Sequence, residues 1–224
     1  MKFLIGLVIF LLGLPVMAQS KGSFFGQVVD VTFGDDAQSK NFGVGFNMAL
    51  GYPQVTITRT SGEESFYSGI SILGKAFFPF YNTSSASIDG TIVGKYIDLS
   101  NNANNSTQKE FSNQIGGGLG LHFRLFRLFL GAEYYMMAGR HYWVGDISDT
   151  LEYRYNLFEY YVGFHINLTK ALRVAFSYDI GTGNIPKSKT LLSSDSQYGE
   201  QIIWLHLIYG TGQTPSQFFS KIFK

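Results

Sequence analysis

From Phe111 onward, apolar and polar positions alternate with a period of two. Ile115, Leu119, Leu121, Phe123 and Leu125 share one parity; Gly116, Gly118, Gly120, His122 and Arg124 share the other. After a tight turn at Phe126-Arg127, Leu130, Ala132, Tyr134 and Met136 fall on one face and Gly131, Glu133, Tyr135 and Gly139 on the opposite one. Successive side chains of an extended chain point to opposite sides, so this alternation predicts strands. The design recurs: Phe158, Tyr160, Val162, Phe164, Ile166 and Leu168 alternate with Glu159, Tyr161, Gly163, His165 and Asn167. A turn at Thr169-Lys170 follows, then Leu172, Val174, Phe176, Tyr178 and Ile180 alternate with Arg173, Ala175, Ser177, Asp179 and Gly181.

Extending the pattern along the chain gives spans at 24–33, 41–51, 54–60, 66–79, 87–99, 111–125, 128–142, 152–168, 171–182 and 198–210. Pro53 lacks a ladder donor and predicts a turn between the second and third. The expected architecture is all-β, an antiparallel transmembrane β-barrel of about ten strands, with eight as the alternative if 24–33 packs elsewhere or the weak N-terminal segments are not spans. Both termini are then expected on the periplasmic side.

Periodicity leaves open which face is inside, since a soluble barrel would turn its apolar side inward. Composition decides the expectation. Only 15% of residues are charged, 17% are aromatic and 26 are glycine, too little polar surface for an ordinary soluble domain. The glycine-rich face with sparse, mixed charges suits a crowded lumen, and the aliphatic and aromatic face suits lipid. Short turns at 126–127 and 169–170 alternate with polar loops at 100–110, 143–151 and 184–197, predicting periplasmic turns and extracellular loops. Tyr134, Tyr135, Tyr142, Trp143, Tyr153, Tyr155, Tyr160 and Tyr161 lie near the predicted strand ends and are expected to form an interfacial aromatic girdle.

The N-terminus reads as a signal peptide over 1–18: Lys2, an apolar run from Phe3 to Leu14, and a small residue at Ala18. That run is short of the roughly 20 residues a spanning helix needs. The barrel then occupies 19–210, and 211–224 forms a periplasmic or interfacial tail, with Phe219, Ile222 and Phe223 in the headgroup region. A net charge of +1 without a basic block argues against nucleic acid. The absence of cysteine excludes disulfides, thiolate catalysis and Cys-type zinc sites.

Ionisable groups on the lumen face are the candidate site: His122, Arg124, Glu133, Glu159, His165, Arg173 and Asp179. A salt-bridge network that fills a narrow barrel and sets strand register outweighs catalysis as their reading, because structural ion pairs imitate active sites. His165, Ser177 and Asp179 on neighbouring strands make a hydrolytic triad conceivable, but no nucleophile elbow supports it. His141 and His165 have no partner at ligand spacing, and Asp35-Asp36 lacks the further oxygens of a calcium loop, so neither a metal nor a cofactor is expected.

Gly116-Gly117-Gly118-Leu119-Gly120-Leu121 and Gly163-Phe164-His165-Ile166-Asn167-Leu168, with the signal peptide and alternating short and long turns, resemble the small Gram-negative outer-membrane barrels of the OmpA-like and porin-like superfamily, especially those of Bacteroidetes. The resemblance covers the whole mature chain. It implies a monomer in outer-membrane lipid, inserted by the outer-membrane assembly machinery, and assigns no activity. The reading is a non-enzymatic barrel with a largely closed lumen whose function lies in its surface loops or in envelope integrity, with a narrow pore or a lipid hydrolase as alternatives. The chain departs from that pattern at its end, where the last strand is followed by a tail running through Pro215 to Lys224 rather than closing on a phenylalanine.

Overall fold

The computed structural model describes residues 42–62, 64–83, 85–101, 109–144, 150–186 and 195–223. The predicted signal peptide, the 24–33 span and Asp35-Asp36 lie outside them. Among the described residues the chain forms eight strands: β1 (Gly45–Arg59), β2 (Glu64–Asn82), β3 (Ala86–Asn101), β4 (Lys109–Leu125), β5 (Leu128–Val144), β6 (Thr150–Asn167), β7 (Leu172–Ile185) and β8 (Ser196–Gly210). Each pairs antiparallel with its sequence neighbour, and β1 pairs with β8 to close the barrel. Closure leaves no sheet edge, so every strand finds its ladder partners within the barrel.

The strand count corrects the expectation of ten. Positions 45–59 are one strand, not two, and Tyr52 and Pro53 pair with Ile203 and Ile202 of β8. The β1–β2 register runs to Gly51↔Ser71 and resumes at Gln54↔Ser68. The proline therefore interrupts one ladder while the other carries the strand through.

The predicted turns occur where expected. Phe126 adopts a left-handed φ of 54° in the two-residue connection between Leu125 and Leu128. At the β6–β7 turn the Thr169 hydroxyl accepts the backbone N–H of Leu172 at 3.0 Å. At the same end residues 42–44 run alongside 211–213, with Val44 N–H donating to Gln213 at 2.9 Å and Thr211 N–H to Val44 at 2.8 Å. This pairing inserts Phe42 into the lumen and leads the chain into helix α1 (Pro215–Ile222). The helix starts on a capping box between Thr214 and Gln217.

The alternation places its two faces as composition predicted. Outward positions are apolar from the short-turn end upward, from Phe46 to Tyr52 on β1 and from Phe158 to Leu168 on β6. At about 3.3 Å per residue and a tilt of about 40°, the β6 run rises roughly 25 Å, the height of the apolar band a bilayer demands, and the shorter β1 run roughly 15 Å. The belt ends at outward polar residues on seven of the eight strands: Gln54, Asp98, Asn113, Arg140, Asn156, Thr182 and Gln201. Above that ring the strands continue as a polar collar, because strands of 14 to 19 residues outrun the about 9 to 11 needed to span.

The girdle assignment is half corrected. Tyr134 and Tyr160 point outward, joined by Tyr52, Tyr96 and Tyr178 near the collar, whereas Tyr135, Tyr153, Tyr155 and Tyr161 point inward and are buried. Tyr142 stacks on Phe111 with centroids 5.4 Å apart.

Candidate functional site

The lumen is built in three tiers from inward-facing side chains. Nearest the short turns, Arg124 of β4 donates to the carbonyls of Phe126 (3.1 Å) and Thr83 (3.0 Å), and Arg173 of β7 lies 3.8 Å over the Phe42 ring. His122 packs between Phe77 and Phe129 at 5.0 and 5.1 Å, its Nδ1 3.1 Å from the Tyr161 hydroxyl. Ser87 donates to Asp89 at 3.0 Å, and His165 lines the same small cavity.

The middle tier is ionic. Lys75 of β2 pairs with Glu133 of β5 at 2.6 Å and lies 4.2 Å over the Tyr161 ring. Thr91 and Tyr135 also donate to Glu133, at 3.2 and 2.6 Å. Lys95 of β3 pairs with Glu159 of β6 and, at 2.5 Å, with Glu200 of β8. The side chains of Lys95 and Glu159 are 0% exposed, so no water-sized path reaches them. In a low-dielectric interior such charges persist only when partnered, and each carboxylate here has a cation or hydroxyl in reach.

Tyrosines make the upper tier. The Tyr198 hydroxyl lies 2.9 Å from both Glu200 and Gln114, and Tyr155 donates to Gln114 at 2.5 Å. Ser112 and Tyr153 share a 2.7 Å hydrogen bond. At the mouth Tyr67 donates to Glu110 at 2.8 Å, with His141 3.7 Å from the same carboxylate. Glycines make room for these rings. Gly131 faces Tyr161 and Gly139 faces Tyr153 across the β5–β6 ladder, and a Cβ at either glycine would strike the opposing ring.

All seven residues proposed from the sequence face the lumen and are buried, but they do not form one cluster. Glu133 and Glu159 join the ionic tier, Asp179 sits beside it with Ser177, and His122, Arg124, His165 and Arg173 line the short-turn end. The sequence reading missed Lys75, Lys95 and Glu200, which complete the pairs. A single charge flanked by apolar residues on both parities, as in Val93-Gly94-Lys95-Tyr96-Ile97, was the available signal.

The conceivable triad is rearranged. In the register His165 faces Ala175, and the imidazole beside Ser177 is His206 of β8, at 2.9 Å from Nε2. Ser177 donates to Asp179 at 2.5 Å, and Nδ1 of His206 meets Asn47 at 2.9 Å. The acid thus holds the hydroxyl and an amide holds the imidazole, whereas a triad sets the acid on the imidazole. Among the described residues no group of three His, Asp or Glu side chains is placed to hold a metal ion.

The closed eight-stranded barrel, its apolar belt and its ion-paired lumen define an outer-membrane-type β-barrel, a chain that crosses a bilayer with strands. No family profile and no curated protein matches the sequence. Solved structures with a similar fold include Ail, the attachment invasion locus protein of Yersinia pestis, 13% identical over 75% of this chain and 99% of that one, with a TM-score of 0.49. Neisserial surface protein A is 13% identical over 72% of this chain and 96% of that one (TM-score 0.44). The outer-membrane protease OmpT of Escherichia coli is 7% identical over 77% and 98% (TM-score 0.39). At these identities the likeness is one of fold.

Proposed function

We propose that this protein is a monomeric, non-conducting and non-enzymatic barrel of a Gram-negative outer membrane, of the small OmpA-like kind, with both termini periplasmic. Its role resides in the collar and the loops above it. The observation that carries this reading is the packed middle tier, in which the side chains of Lys95 and Glu159 are fully buried and that of Glu200 is 1% exposed. A solute path would have to break these pairs, and a barrel this narrow has little spare lumen. Ser177 is buried within the same wall, its proton committed to Asp179, which supports a structural rather than a nucleophilic role. The strands, in contrast, extend the polar collar well past the lipid belt, which supports a role for the collar end.

Planar-bilayer recording of the purified, refolded protein tests the reading, with no discrete conductance steps expected. Stepwise channel openings would overturn it in favour of a pore. Protease added to intact cells is expected to cut at the collar end and to spare both termini.

A further inference from the structure

The ionic tier of the lumen holds more acid than base. Glu133, Glu159, Glu200 and Asp179 are at most 2% exposed, and the ammonium groups among them are those of Lys75 and Lys95. His206 of β8 adds no charge. Ser177 gives its single proton to Asp179 at 2.5 Å, so its oxygen accepts from Nε2 of His206, and the Asn47 amide donates to Nδ1. The imidazole is thereby neutral, with its proton on Nε2.

Two of the four acids meet each other. Register places Glu159 opposite Gly181 and Asp179 opposite Tyr161, so they are diagonal neighbours on the lumen face of β6 and β7. Their carboxyl groups lie within hydrogen-bonding reach. Glu159 takes Lys95 on Oε2, but its Oε1 is buried and has no donor, and among the described residues Asp179 has no ion pair. The surrounding groups are engaged elsewhere: Lys75 of β2 and Tyr135 of β5 on Glu133, Tyr198 of β8 on Glu200, and Tyr161 of β6 with His122 of β4. Two ionised carboxylates offer only acceptors and repel at contact in a low-dielectric interior. One proton converts the same contact into a hydrogen bond and gives the orphaned oxygen a partner.

We infer that Glu159 and Asp179 hold one proton between them, which makes the packed lumen a proton-binding site coupled to folding. The proton comes from solvent as the barrel closes and returns to it on unfolding, where both carboxyls ionise in the ordinary range. The native state then binds one proton more than the unfolded chain, so the stability this proton contributes is lost as pH rises. The inference is independent of what the collar does and of whether the barrel conducts.

Infrared spectra of the refolded mature protein in detergent at neutral pH should contain the carbonyl stretch of a protonated carboxylic acid. Asp179→Asn should remove the intensity of one such group; if that variant fails to fold, Glu159→Gln takes its place with the same readout. Between about pH 6 and 8, the unfolding constant of the unmutated protein in urea should rise about tenfold more per pH unit than that of the variant, the change that one proton dictates. An unchanged carbonyl band in the folded variant would overturn the inference, as would parallel pH dependences. So would an imidazolium at His206, read from its ring nitrogen shifts by NMR, since it would place the proton on the histidine and leave Asp179 ionised.

Discussion

Lys75 of β2 reaches across the lumen to Glu133 of β5, with 2.6 Å between Nζ and Oε1. The two strands are separated by β3 and β4 in the sheet, so the pair is a strut between opposite walls. Lys95 makes a second strut from β3 to β6 and β8. Together they tie five of the strands through the interior as well as along the ladders, and four tests follow from this arrangement.

Lys95→Met leaves Glu159 and Glu200 facing each other without their cation. Removing one partner from a buried ion pair costs about 3 to 5 kcal/mol. The midpoint of urea unfolding in detergent, read by heat-modifiable gel mobility, should fall accordingly. Adding Glu159→Gln and Glu200→Gln should recover much of the loss, because the stranded charges go with them.

The β5–β6 glycine wells are sensitive to volume. Gly131→Leu drives a side chain into the Tyr161 ring and breaks the Tyr161–His122 contact. Overpacking of a filled interior costs about 1 to 3 kcal/mol. Tyr161→Ala in the same chain should restore part of the stability, and a double-mutant cycle measures the coupling.

Arginine scanning separates belt from collar. Leu205→Arg, in the belt, should destabilise the vesicle-inserted barrel by about 2 to 4 kcal/mol, and Gln201→Arg, at the polar ring on the same strand, by about 0 to 1 kcal/mol. Equal costs would refute the placement of the boundary between them.

Trp204 is 0% exposed and points into the lumen. In a Trp143→Phe background its fluorescence should be untouched by brominated lipid and by iodide alike. Quenching by bromolipid would mean that the face assignment is inverted.

Much of this was legible in the chain because a strand has only two faces. On β4 through β7 one parity is almost wholly large and apolar, so the alternation placed Glu133, Glu159, His165 and Asp179 in the lumen without reference to any partner. On β3 the same reasoning stalls. Val93, Lys95 and Ile97 face inward while Ile92 and Tyr96 face outward, and apolar residues on both parities leave no contrast to read. The tyrosines misled for a related reason: an amphipathic ring serves equally at a bilayer interface and against a buried polar group, and only the positions of Glu133 and Gln114 decide for Tyr135 and Tyr155.

The sequence by itself determined the class of element and the positions of the tight turns, because these depend on contacts within a few residues, and its low charge content decided which parity faces lipid. The number of strands, the passage of β1 through Pro53 and the partners of each buried charge were decided only when β1 met β8. Barrel closure brings together residues 165 positions apart, as Gly45 and Gly210 are. Which cation meets which carboxylate is a matter of register around the whole ring, and no local pattern contains it.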